Sequence, residues 1–147
     1  MTTIAASRTT MAGDRRVTDG DTTFSGRKIH RVGEAIVGAA GSGGAIAKFL
    51  KYLRAGDLDD VPKFGKDDEL SALVLTPAGL FAYDTECQPE EILDPFYAVG
   101  SGKQAALAAM HMGATPQKAV AIACIVDNSS GEPIDVLELA LADAAGT

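Results

Sequence analysis

The order in which strand-like and helix-like runs follow one another constrains this chain more than any other feature. Short runs of β-branched and small residues come first, then one amphipathic helix, then a hairpin and a further strand, then two helices and a closing strand. Strands and helices do not alternate one for one, so a doubly wound parallel sheet assembled from βαβ units does not fit. Antiparallel sheets covered by helices do. The expected fold class is α+β, an αββα four-layer sandwich of two antiparallel sheets face to face and flanked by helices. The chain has 147 residues, which suits one domain with a real core spanning 1–147, and there is no repeat or low-complexity segment to divide it.

The individual elements follow from pattern. Residues 2–7 (TTIAAS) read as a strand, which 8–10 turns into a second strand at 11–13. A polar, glycine-containing stretch at 19–26 reads as a connection, followed by RKIHRV at 27–32, a Gly33-Glu34 turn and a buried-type strand at 35–40. Glycines at 41–44 lead into a helix at 44–55, where Ile46, Phe49, Leu50 and Leu53 recur at helical spacing and Gly56 stops it. Residues 57–68 are charged, with Pro62 and Gly65, and read as a loop. LSALVLT at 70–76 and LFAYDT at 80–85 make a hairpin around Pro77-Ala78-Gly79, 86–95 is polar, and 96–102 is a short strand. Helices are expected at 103–112, closed by Gly113, and at 116–125, with Thr115 as N-cap and Pro116 at the first helical position. A break at 127–131 (DNSSG) precedes a last strand at 133–139, and the small-residue tail 141–147 is expected to fray.

Charge and cysteine content narrow the function. Twenty acidic against thirteen basic residues leave a net charge of −7, which argues against a nucleic-acid partner. No apolar run is long enough to span a bilayer, and the start of the chain has no secretory-signal pattern, so no membrane role and a cytoplasmic location are expected. Cys87 and Cys124 are far apart and fit neither a disulfide framework nor a zinc site, so they read as free buried thiols, with no metal and no cofactor. His30 and His111 have no carboxylate or cysteine partner in pattern and read as surface or helix residues. The glycine-rich segment at 41–46 lacks the third glycine of a dinucleotide fingerprint, and GSGK at 100–103 lacks the full phosphate loop and the Ser/Thr after its lysine.

Five stretches carry the functional signal when taken in order: TTIAAS at the start, MAGDRRVT at 11–18, RKIHRV to AIVGAAGSGGA at 27–45, AVGSG at 98–102 and DNSSG at 127–131. Each is weak alone. As an ordered set at compatible spacing over nearly the whole chain, they make it resemble the proteasome β subunits and the bacterial HslV peptidase, which are N-terminal nucleophile hydrolases. The shortness of 49–70 relative to HslV, together with the proteasome-like Asp-x-x-Ser-Gly at 127–131, makes it similar to a minimal or phage-type relative.

The resemblance implies a threonine peptidase with Thr2 as nucleophile after loss of Met1. A threonine hydroxyl needs a base, and an α-amine titrating near ~7.7–8.0 on the same residue is a suitable one. Lys28 matches the family's active-site lysine, ahead of its rivals Arg27 and Arg31, and Asp14 the aspartate that pairs with it. Gly41 matches the glycine whose backbone N–H forms the oxyanion hole. Ser101 matches the serine bonded to the threonine amine, while Asp127 and Ser130 match the Asp and Ser that orient the nucleophile from behind. For substrate binding the resemblance implies an added peptide strand between Thr18 and residues 41–43, Gly43 included, with Val17 and Ala39 lining a roomy, neutral pocket for the residue before the cleaved bond. It also implies a peptide or unfolded-protein substrate, a homo-oligomeric ring or stacked rings, and an AAA+ ATPase unfoldase as partner. In HslV the long helical hairpin contacts that ATPase, and 49–70 is short here. A catalytically inactive or assembly-role protein on this fold, and an amidase of another substrate class, are the alternatives.

Overall fold

A computed structural model describes residues 1–140; the tail expected to fray, 141–147, lies outside the described residues. Along the chain run β1 (Thr3–Ser7), β2 (Thr10–Asp14), β3 (Arg16–Asp19), β4 (Thr22–Ser25), β5 (Ile29–Val32), β6 (Ala35–Gly41), α1 (Gly43–Ala55), β7 (Leu70–Thr76), β8 (Gly79–Tyr83), β9 (Glu90–Glu91), β10 (Phe96–Gly100), α2 (Lys103–His111), α3 (Pro116–Val126) and β11 (Ile134–Glu138). The class is α+β. One sheet has the order β10-β1-β2-β11, a second β5-β6-β7-β8-β9, and β3-β4 forms a separate two-stranded ribbon. Every pairing among the described residues is antiparallel.

Period-two alternation along the strands builds three apolar cores among the described residues. In β1, Ile4 and Ala6 face one way and meet Met11, Ile29, Ile36, Leu73, Leu75 and Leu80, joining the two large sheets. Ala5 faces the other way, where Ala12, Ala98, Ala106, Ala109, Ala119, Val120 and Ala123 bring α2 and α3 onto the β1 sheet. On the far side of the second sheet, Val37, Ala39, Ala72 and Val74 pack under Ala45, Phe49, Leu50 and Tyr52 of α1. Phe49 is fully buried, with ring centroids 6.4 Å from Tyr52 and 5.2 Å from Tyr83.

The helices start and stop where their sequences say. Gly56 takes the left-handed conformation (φ 76°) that closes α1. Thr115 caps α3 by accepting from the Lys118 amide at 3.2 Å, and Pro116 follows it, a cap worth about 1 kcal/mol. No helix among the described residues is long and apolar enough to cross a membrane.

Three expectations are corrected. The stretch 19–26 is not a plain connection: together with 16–18 it forms the β3-β4 hairpin, in which Asp19 pairs with Thr22 across the two-residue loop of Gly20 and Asp21. Most of its residues are exposed, so apolar alternation gave no warning. The 86–95 segment likewise carries a short pairing, Ala82 with Glu90 and Phe81 with Glu91. His30, expected as a surface or helix residue, lies half-buried on strand β5.

Candidate active site

Residues from four distant parts of the sequence converge on the start of β1. Thr2 precedes that strand and is 7% exposed, whereas Met1 is 69% exposed. Ser101 follows β10, which pairs with β1 so that Thr3 lies opposite Gly100. Asp14 ends β2, Lys28 precedes β5, and Asp127 and Ser130 sit in the turn leaving α3.

Asp14 is the hub. Its side chain is fully buried and that of Lys28 is 8% exposed. The Lys28 ammonium donates to both Asp14 oxygens at 3.0 and 3.1 Å, to the Arg16 carbonyl at 2.5 Å and to the Met1 carbonyl at 2.8 Å. Asp14 also accepts from the backbone amides of Thr3 (3.0 Å), Arg16 (3.2 Å) and Gly131 (3.0 Å). Burial pushes the Lys28 ammonium below the usual lysine range, with the Asp14 charge opposing the shift.

A second network lies on the other side of Thr2. The Thr2 amide donates to Ser101 Oγ at 3.2 Å. Ser101 Oγ in turn donates to Asp127 Oδ2 at 2.6 Å, and Ser130 Oγ donates to the same oxygen at 2.7 Å. Burial alone would raise the Asp127 pKa; the Ser101 and Ser130 hydroxyls and the Ser129 amide outweigh it and hold the carboxyl below its ordinary value. Cys124, on α3, has its thiol raised to about 11 by burial and by the Asp14 and Glu132 charges, and no disulfide joins it to Cys87.

Two glycines make the close approaches possible. Gly100 has φ 101°, and a Cβ there would stand 2.0 Å from the Thr2 carbonyl oxygen. Gly41 has φ 135°, and its Cβ would stand 2.0 Å from the Glu69 carbonyl oxygen. Gly41 ends β6 one residue before Ser42, the N-cap of α1, and lines a cleft of about 560 Å³ together with Thr2, Ala40, Ser42 and Ser101.

Asp14 and Lys28 thus form one hydrogen-bonded set and Thr2, Ser101, Asp127 and Ser130 another, and Gly41 shares the cleft with Thr2. Val17 and Thr18 lie on β3, Gly43 is the first residue of α1, and none of these lines that cleft. Ala39 is 2% exposed and belongs to the core cluster of Val37, Ala45 and Phe49. Thr3 was not anticipated as a site residue. It is fully buried, and its Oγ1 lies 2.7 Å from Ser130 Oγ. Its signal was present in the alternation that turns Thr3 away from Thr2 and toward the face of Ala5.

Comparison of the sequence with protein-family models and with curated proteins gives no match. Solved structures do match. The eukaryotic HslV from Trypanosoma brucei is 25% identical, with a TM-score of 0.68 over 92% of this chain and 98% of that one. BPH of Thiobacillus denitrificans is 23% identical in two structures that cover 95% of this chain and 98% of theirs. One was solved in complex with epoxomicin (TM-score 0.69) and the other has a TM-score of 0.66. The resemblance to the proteasome β-subunit and HslV family therefore holds in three dimensions over more than nine-tenths of the chain.

Proposed function

We propose that this chain, built on the HslV fold, is a threonine-type endopeptidase subunit that cleaves peptide bonds with Thr2 once Met1 has been removed. The observation that carries the proposal is the pair of networks flanking Thr2: Lys28 with Asp14, which bond the Met1 carbonyl and the Thr3 amide on either side of it, and Ser101 with Asp127 and Ser130, which hold the Thr2 nitrogen. Met1 is exposed and open to an aminopeptidase, while Thr2 behind it is held in place.

In the processed chain the Thr2 α-amine takes the hydroxyl proton as Oγ1 attacks the scissile carbonyl carbon. The Lys28 charge favours the developing alkoxide, and Asp14 keeps that ammonium oriented. The Gly41 N–H, at the strand-to-helix turn, stabilises the oxyanion. The amine then passes its proton to the leaving nitrogen, the C–N bond breaks, and water hydrolyses the Thr2 ester. Ser101 holds the amine, with Asp127 and Ser130 behind it.

The three cores support a single αββα four-layer domain over the described residues, 1–140. Peptide substrate enters as an added strand between Thr18 and residues 41–43. Val17 and Ala39 are proposed to line the neutral pocket for the residue before the cleaved bond. Unfolded protein as substrate, a homo-oligomeric ring, an AAA+ ATPase partner and a cytoplasmic setting complete the proposal. Removal of Met1 would free the Thr2 amine and release the Lys28 ammonium from the Met1 carbonyl it now bonds at 2.8 Å.

Intact-mass analysis tests the proposal. The purified protein should lack Met1 and gain one adduct from a peptide epoxyketone, and Thr2→Ala should stay folded, take no adduct and cleave no fluorogenic peptide. Normal cleavage by Thr2→Ala would overturn the assignment.

A further inference from the structure

We infer that Thr3, the residue after the proposed nucleophile, is a positioning residue whose hydroxyl sets the direction of the hydrogen-bond chain through Ser130 and Asp127 to Ser101. The inference rests on Thr2 being the nucleophile and adds a residue to that site.

Proton counting assigns the direction. A serine or threonine hydroxyl has one hydrogen to give and lone pairs to accept with. Ser130 Oγ gives its hydrogen to Asp127 Oδ2 at 2.7 Å. Toward Thr3 Oγ1, also 2.7 Å away, Ser130 can therefore only accept, so Thr3 is the donor. Ser101 Oγ, 2.6 Å from Asp127 Oδ2 and 3.3 Å from the Thr2 carbonyl, spends its hydrogen on the carboxylate, which leaves a lone pair for the Thr2 N–H. Both branches end on one carboxylate oxygen. The Thr3 donor keeps Ser130 pointed at Asp127, and Asp127 keeps Ser101 oriented to accept from Thr2.

Packing alone does not account for a hydroxyl here. Thr3 is fully buried on the side of β1 that carries the alanine core. It fills the space over Gly102, where a Cβ would come within 2.0 Å of Thr3 Oγ1 and 3.1 Å of the Ala123 methyl. A valine would fill that space equally well, so the hydroxyl is distinguished by its bond to Ser130. The Thr3 amide meanwhile donates to Asp14 Oδ1 at 3.0 Å, so one residue touches both networks.

Steady-state kinetics on a fluorogenic peptide test this with Thr3→Val, Thr3→Ser, Ser130→Ala and the Thr3→Val/Ser130→Ala double variant, each first confirmed by mass to have lost Met1. Thr3→Val should lower kcat about tenfold, the size of one lost hydrogen bond, with KM within about twofold, as for an interaction acting on the chemical step. Thr3→Ser, which keeps the hydroxyl, should restore kcat. The double variant should be no slower than Ser130→Ala alone. Should Thr3→Val fail to fold, Thr3→Ala is read in the same way. Unchanged kcat in Thr3→Val, an equal loss in Thr3→Ser, or multiplied losses in the double variant would each overturn the inference. Survival of hydrolysis in Thr2→Ala would instead remove the nucleophile assignment beneath it, a separate outcome.

Discussion

Replacing Asp14 by asparagine changes almost no volume and removes one charge, yet the geometry makes it costly. One carboxylate oxygen accepts from the Thr3 amide and Lys28, the other from the Arg16 and Gly131 amides and Lys28. An asparagine offers one acceptor oxygen and one NH₂ donor. Whichever way it turns, its NH₂ faces at least one backbone N–H that has lost its partner, at about 1–3 kcal/mol for each buried donor left unsatisfied. The Lys28 ammonium, 8% exposed, also loses its counter-charge, and breaking a buried pair by removing one partner costs about 3–5 kcal/mol. The two figures describe overlapping losses, so about 3–5 kcal/mol is expected, a fall in melting temperature of roughly 6–20 °C for a chain of this size. Urea unfolding followed by circular dichroism reads it directly. Because the penalty includes an orphaned cation, Asp14→Asn/Lys28→Met should be less destabilised than the sum of the two single variants. A stability within 1 kcal/mol of the parent for Asp14→Asn, at about the level of one ordinary hydrogen bond, would refute the hub described for Asp14.

Further outcomes are expected. Asp127 has a folded-state pKa below its unfolded value, so its contribution to stability is present above about pH 4 and is lost as pH falls through the lower folded value; urea midpoints between acidic and neutral pH should show a shallower acid-side slope in Asp127→Asn, and an unchanged slope would contradict the hydroxyl network. Gly100→Ala places a Cβ against the Thr2 carbonyl at a positive φ and should cost about 2–4 kcal/mol and abolish peptide cleavage, with thermal unfolding and activity measured side by side. Phe49→Ala removes a fully buried ring from the α1 core and should cost about 3–5 kcal/mol in the same unfolding assay.

The sequence was most legible where one physical preference dominated. LSALVLT pairs on both edges over the span its β-branched and apolar content predicted, and α1 follows the spacing of Phe49 and Leu50. The β3-β4 ribbon was missed because Thr18, Asp19, Thr22 and Thr23 have no buried face to alternate with; Gly20-Asp21, a two-residue loop with glycine at positive φ, was its one cue. The site was legible only as an ordered set of motifs. Nothing in the spacing of Asp14, Lys28, Ser101 and Asp127 states which oxygen meets which nitrogen, since those distances arise from strand register and from the approach of α3 to β1. A separate role for Thr3 is not legible because two adjacent threonines look alike in a line of letters, whereas a pleated strand sends their side chains to opposite faces.

That approach of α3 depends on the alanine layer. Ala5, Ala12, Ala98, Ala106, Ala119 and Ala123 are each fully buried where α2 and α3 meet the sheet, so helix and strand stand as near as methyl groups allow. The layer works as a gauge block: its thickness sets the gap across which Ser130 reaches Thr3 and Asp127 reaches Ser101. A single added methyl or two would lift the end of α3 by a fraction of an ångström, which the α1 side, filled by Phe49, Leu50 and Tyr52, could absorb by changing rotamers. Drift in sequence should therefore be lopsided, with large residues exchanging freely beneath α1 while the alanines opposite stay small, even though none of them touches a reacting atom.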